Sequence, residues 1–537
     1  MKFTFNTFNS LVVLMSTVAH FQASAQTWRV TRSEWTERDE IEYSRFVQAL
    51  GESGCGSRGS KSVGMEKSGF NDCIRSPRNP LRSAEDSQIL LHVDCAKLPH
   101  ALRAYFAMKK GLPFSYASGV SMAPGPNGER SSQNDPRYSE FGNRISDRED
   151  VLTGGNFVSL ARSMMNEVYS ANYRVHPQYE SNTLPADMYS VDLRLATESD
   201  LRGIRPGTNL YDPNGHVAVV YKVEKDGRIR LFDAHPDNSI SRIVYGEKFA
   251  RSRPAAGAGF KNFRPLKVVN GKVVLAKNSE IADFSLTQFF GTNPDPKGWS
   301  KGKFILNGLE LSYYDYVRTV MAGGNLKFEP EQELTNAMDA LCQDVKDRII
   351  AVEGNGGLNS QAHPAKLPSN IYGTSGDWES YSTPSRDARL KTSFKELFDN
   401  TARFLDLYAR GSDRIDYQGT DLKADLRNAY IRAVTACKLS YKGRNGTVEF
   451  NLNDVIERMW LMSFDPYHST ELRWGCIGSD ASACLNSSDA WYRAEQKLRN
   501  QIERTYDARM DYSAAELPNA PIGVVTPPEV DVRKLLR

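Results

Sequence analysis

The chain has 537 residues, of which 40% are hydrophobic, 25% charged and 10% aromatic; Lys+Arg 68 against Asp+Glu 65 leaves a net charge of +3. That much apolar material supports packed cores over two or three domains and excludes a disordered chain, a collagen-like chain or a small disulfide knot. No long basic run points to nucleic acid, and the near-balanced charge is silent about a partner.

The first 25 residues have the order of a secretory signal: Lys2, a short apolar run from Leu11 to Ala19, then Ala23-Ser24-Ala25 ahead of Gln26. At 1.5 Å per residue this run covers only about half a bilayer. No later stretch reaches the roughly 18 apolar residues of a membrane span. Residues 1–25 are therefore read as a signal peptide, and the rest as an exported protein, periplasmic or secreted, with no transmembrane segment.

In an oxidising compartment most cysteines pair, and the seven present leave at least one over. Proximity pairs Cys55 with Cys73 and Cys476 with Cys484. A position between two predicted helices pairs Cys342 with Cys437, and Cys95 remains free. Gly54-Cys55-Gly56-Ser57-Arg58-Gly59 matches G-x-G-x-x-G, but no apolar strand precedes it, so a disulfide loop is expected there and no dinucleotide site.

Past Cys95, the residues Leu98, Leu102, Tyr105 and Phe106 fall on one helical face, with Gly111 and Pro113 as a stop. Pro99 makes the first turn irregular or moves the regular start to Lys97 or Leu98. Either way Cys95 lies at the entrance, where unpaired N–H groups and the positive end of the dipole favour a thiolate, so a lowered thiol pKa is expected. Ser121–Asp150 reads as a long polar loop. Asp226-Gly227, flanked by apolar β-branched residues, then signals a hairpin. His216 opens one strand and Asp233 closes the next. Alternation puts His216 on one face with Asp233, His235 and Asp237. A two-residue turn sets Asp237 opposite His216, a four-residue loop His235, and a six-residue loop Asp233, so periodicity leaves the partner open.

A cysteine at a helix entrance, followed far downstream by a histidine and a polar orienter on adjacent strands, is what thiol catalysis needs: the imidazole takes the thiol proton and the acceptor beyond fixes the ring. In this respect Ser87–Asp237 resembles the papain-like fold, in particular the transglutaminase-like and NlpC-type cell-wall peptidase families. Gly215-His216-Val217 followed by Leu231-Phe232-Asp233-Ala234 is similar to their paired strands, although the 121 residues between Cys95 and His216 exceed the usual spacing. The resemblance implies an α+β, papain-like catalytic domain with an antiparallel sheet over 26–325, and Cys95, His216 and Asp233 as nucleophile, base and orienter. It further implies a cysteine-dependent amide hydrolase, a peptidase or amidase acting through a thioester on peptides or cell-wall peptides. A transglutaminase-type acyl transferase would share the first half-reaction. A non-catalytic envelope binding protein on a degenerate fold is the alternative of a different class. The Cys95 backbone N–H and Gln88 are the oxyanion candidates.

After residue 325 the pattern turns helical, with Glu329–Val352, Ser385–Arg410, Asp421–Tyr441, Asn451–Ser463 and Asp489–Tyr512 as helix-like segments and 353–385 as a loop. In the second segment Leu390, Phe394, Leu397, Phe398, Phe404, Leu405 and Tyr408 form a packing stripe. A helical domain over 326–515 is predicted, followed by a Pro-rich tail, 516–537, whose Pro518, Pro521, Pro527 and Pro528 prevent continuous helix and imply an extended, docked or mobile end. His92, His100, His176, His363 and His468 are scattered and read as structural. With no H-E-x-x-H, paired C-x-x-C or EF-hand loop, neither a metal nor a cofactor is expected.

Overall fold

The computed structural model describes residues 27–177, 184–251, 253–295, 298, 301–373, 376–480, 489–505 and 508–537; the expected signal peptide lies outside them. Helix and antiparallel sheet are mixed, the α+β class. Among the described residues no helix is long and apolar enough to cross a membrane.

The N-terminal half is organised around six strands, β1 (Met188–Ser190), β2 (Asn209–Asp212), β3 (His216–Val223), β4 (Ile229–Ala234), β5 (Ile240–Val244) and β6 (Gly259–Phe263), in the order β1-β6-β2-β3-β4-β5. Every neighbouring pair is antiparallel. Val219, Phe232, Ala234 and Ile240 pack in one core with Phe46 of α1 (Glu37–Glu52) and Tyr105 and Phe106 of α2 (Leu98–Lys110). Ala218, Val220, Leu231 and Ile243 pack in another with Tyr313, Tyr316 and Val317 of α3 (Tyr313–Met321). Burial on both faces is why β3 reads as a nearly unbroken apolar run, with no polar alternation. Gly111 ends α2 in the left-handed conformation (φ +64°), which a Cβ disfavours.

Of the stretch read as a polar loop, Ser121–Asp150, the central residues 123–142 are loop with one short 3-10 turn, whereas the two ends belong to a two-stranded ribbon pairing Phe114–Met122 with Asn143–Val151. Its second strand leaves most side chains in solvent, and that polarity hid it from a hydrophobic pattern search.

In the C-terminal half α4 (Pro330–Glu353), α5 (Pro384–Ala409), α6 (Leu422–Ala436) and α7 (Leu452–Arg458) share a core that includes Leu341, Val345, Phe394, Leu397, Leu426 and Val455. The Cys342–Cys437 disulfide crosses it. Of the expected stripe, Leu390, Phe394, Leu397 and Phe404 are buried, whereas Tyr408 is exposed. Two segments depart from the helical expectation. The helix expected over Asp421–Tyr441 ends at Ala436, and Leu439–Gly443 pairs with Gly446–Phe450 as a hairpin. Asn445-Gly446 is a hairpin turn signal, and Tyr441, Val448 and Phe450 bury with period two. Of Asp489–Tyr512, only Ala490–Ala494 and Gln496–Arg499 are helical among the described residues. The proline-bearing tail docks, with Val530, Val532 and Leu536 buried in the helical core. Ion pairs link the halves, among them Lys248 with Asp344 (3.0 Å), Arg403 with Asp315 (2.9 Å) and Arg504 with Asp212 (2.6 Å).

Candidate functional site

Cys95 lies in a tight turn whose Asp94 carbonyl accepts from the N–H groups of Lys97 (3.2 Å) and Leu98 (3.0 Å). Regular helix begins at Leu98, and Pro99 falls in the first turn, where its missing N–H removes no helix bond. Cys95 is a free thiol, half-buried. The expected Cys55–Cys73 and Cys342–Cys437 bridges are formed. Cys476 is also disulfide-bonded, while Cys484, its expected partner, is outside the described residues. The expected lowering of the thiol pKa is reversed. Burial pushes Cys95 up to about 12, and the charge of Asp94 adds to this against a hydrogen bond from the Val217 N–H. The helix starts three residues late, and the thiol packs with Ala96, Tyr173, Tyr211 and Val217 where a thiolate is poorly solvated.

Strands β3 and β4 pair Val219 with Phe232 and Val220 with Leu231, and a bulge at Tyr221 shifts the register toward the turn. Continued outward, this register sets His235 beside His216, and their rings lie parallel at 6.1 Å between centroids. The hydrogen bond nevertheless goes diagonally, from His216 Nε2 to Asp233 Oδ2 at 2.5 Å. Nδ1 of His216 has no protein hydrogen bond among the described residues. His235 Nε2 instead meets Ser241 Oγ, and Asp237 Oδ1 accepts from Ser239 N (2.9 Å) and Oγ (2.6 Å). Two of the three candidate partners are thus committed to the turn after β4. That turn is braced by the Cys55–Cys73 loop, whose Gly56 carbonyl accepts from Ile240 N and whose Ser60 N donates to the Asp237 carbonyl.

Burial and then Arg389 lower the His216 pKa below its ordinary value. Burial takes His235 down to about 3. Against burial, His235 and then His216 hold Asp233 well below the usual carboxylate range. The resting pair is therefore neutral thiol and neutral imidazole.

Cys95, His216 and His235 line one cavity of about 190 Å³, closed from the helical half by Tyr372, Arg386 and Arg389. These last residues escaped the sequence reading, because nothing local marks a helix start 170 residues downstream as a cavity wall. The Cys95 N–H makes no hydrogen bond among the described residues, whereas Gln88 is exposed and does not line the cavity. The structure therefore brings Cys95, His216 and Asp233 together and leaves Gln88 outside.

A second histidine–carboxylate pair lies under the Cys95 turn. His100 Nε2 meets Asp187 Oδ2 (2.9 Å), its Nδ1 meets Tyr173 OH (3.0 Å), and that hydroxyl donates to the Ala96 carbonyl (2.6 Å). In the helical half, His363, Asp465 and Glu495 each offer one ligand atom, all within 4.8 Å of one another, and could hold a metal ion. His363 there stacks on Trp491 at 3.9 Å and bonds Asp465 through Nε2 (2.7 Å).

Compared with known proteins, the chain matches no family model, no curated protein and no solved structure.

Proposed function

We propose that the protein is an exported cysteine-dependent amide hydrolase in which Cys95 attacks a peptide carbonyl, His216 takes the thiol proton through Nδ1, and Asp233 holds the ring through Nε2. The observation that carries this reading is the shared cavity: a half-buried free thiol and a histidine whose far nitrogen is fixed by a buried carboxylate line it together. In such a site the thiol proton moves to the imidazole as sulfur bonds to the acyl carbon. The imidazolium then protonates the leaving amine, and water releases the thioester. The papain-like resemblance supports peptides or cell-wall peptides as substrates, with an amine acceptor in place of water giving acyl transfer. The disulfides agree with an oxidising compartment. The elevated Cys95 pKa favours the second reading, a binding protein with an idle thiol.

The deciding experiment exposes the full chain to an N-acetyl dipeptidyl vinyl sulfone, which alkylates a thiol held beside a general acid–base. Intact mass should show one adduct, mapping to Cys95 and absent in Cys95→Ala. No adduct, or one that iodoacetamide matches without acceleration, would leave the binding-protein reading in its place.

A further inference from the structure

The wall that the helical half contributes to the Cys95 cavity carries two guanidiniums, Arg386 and Arg389, one turn apart at the start of α5. At three-residue spacing they project from one helix face. Arg389 is 8% exposed, yet neither it nor Arg386 has a carboxylate within ion-pair distance among the described residues. Arg386 donates to one carbonyl, that of Asp347 (2.5 Å), while the Arg389 guanidinium donates to no described residue.

Three arginines around them are paired, whereas Arg473, fully buried and likewise without a carboxylate at ion-pair distance among the described residues, does not line the cavity. Arg348 pairs with Asp387, Arg403 with Asp315 and Arg504 with Asp212. Of the carboxylates around Arg389, Asp212 pairs with Arg504, Asp344 with Lys248 and Asp233 with His216, while Asp347, which lines a small neighbouring cavity with both arginines, keeps one oxygen unpaired and lies beyond ion-pair distance of either. A guanidinium removed from water without a partner is costly, and its fork of donors matches a carboxylate edge to edge.

We propose that Arg389, flanked by Arg386, is a carboxylate-binding subsite, and that the substrate is a peptide carrying a free carboxylate close to the bond Cys95 attacks. The inference rests on the thiol-hydrolase reading for the word substrate; the anion site itself does not. Burial and then Arg389 keep the His216 pKa low, so a carboxylate docked on Arg389 acts on His216 in the direction that favours its taking the thiol proton.

Two sources of carboxylate fit, a peptide C-terminus and an acidic side chain, and the test separates them. Cys95→Ser full-length protein, which cannot form a thioester, is titrated calorimetrically with N-acetyl-trialanine as free acid and as amide, and with N-acetyl-Ala-Glu-Ala-amide and its Gln counterpart. One acid should bind at least ten-fold more tightly than its neutral partner, and that arm names the source. Arg389→Met should bring the preference below three-fold with the circular dichroism spectrum unchanged, while Arg389→Lys, which keeps the charge without the fork, should retain part of it. Equal binding of acid and neutral peptides, absence of binding in all four arms, or a preference that survives Arg389→Met would overturn the proposal. Failure of vinyl sulfone labelling beside an intact acid preference would remove the hydrolase reading and leave the anion site standing.

Discussion

The molecule uses the same histidine–carboxylate contact twice, and the surroundings separate the two uses. At His100 both ring nitrogens are bonded, Asp187 also takes Arg148 at 2.8 Å and the Ala117 N–H, and the histidine is 1% exposed. The cavity that His100 borders is only about 10 Å³, too small for a peptide, and the group's work is to lock the Cys95 turn, through Tyr173, onto the strand carrying Ala117. At His216 one nitrogen is bonded, the other is not, and the ring borders a cavity. A histidine–aspartate pair becomes a candidate for proton transfer only when the ring nitrogen that does not meet the carboxylate is left for something that comes and goes.

The largest expected effect breaks this contrast at the chemical step. His216→Ala should slow vinyl sulfone addition to Cys95 by about 10²–10⁴-fold, the range of a lost general base. Asp233→Asn should slow it about ten-fold, since it leaves the ring in place and weakens its anchoring. In folded His100→Gln the rate should stay within about three-fold of wild type; a loss like that of His216→Ala would show that the two pairs are not separate. Time-resolved intact mass reads all three.

The next effect appears in stability and has the opposite ranking. Asp187→Ala leaves the Arg148 cation largely buried and unpaired and should cost about 3–5 kcal/mol in denaturant unfolding. Asp233→Ala leaves two histidines whose pKa values are already lowered, so no charge is stranded, and about 1–2 kcal/mol is expected. Equal costs would mean that Asp233 is as structural as Asp187.

The last effect is a pH signature, confined to acid solution. Against burial, Arg148 and then His100 bring Asp187 down to about 2, so the folded state holds its proton less tightly than the unfolded chain does. Its contribution is complete above the unfolded value near 3.8 and is lost as pH falls toward 2, a loss of about 2–3 kcal/mol. His235, down at about 3, is neutral in the fold, whereas the unfolded chain takes a proton below about 6.5, so stability also declines as pH falls from 6.5 toward 3. His235→Asn should flatten the upper part of the acid-unfolding profile and Asp187→Asn the lower part; an unchanged profile in either variant would remove that assignment.

Much of this was written locally. The spacing of Leu98, Leu102, Tyr105 and Phe106 placed α2, Asp226-Gly227 placed the β3–β4 hairpin, and an odd cysteine count with short separations left Cys95 free. Each is a property of neighbours along the chain. The Asn445-Gly446 turn was equally legible and was overridden by the helical character around it. The second strand of the ribbon, Asn143–Val151, is mostly charged and polar and carried little apolar alternation to read.

What the sequence by itself determined is therefore the inventory: the free thiol at a helix entrance, the histidine opening a strand, and the face shared with Asp233, His235 and Asp237. Tertiary structure alone decided three things. It chose Asp233 over its two face-mates, because His235 and Asp237 are engaged by Ser241 and Ser239 in a segment that the Cys55–Cys73 loop braces from far along the chain, and Asp233 is left to bond His216 diagonally. It raised the thiol pKa that the helix entrance was expected to lower, because desolvation depends on what packs around a group and outweighs a dipole whose helix starts three residues away. It also brought Arg389 to the cavity from a helix nearly 300 residues beyond Cys95, since no local pattern encodes which distant surface will close over a site.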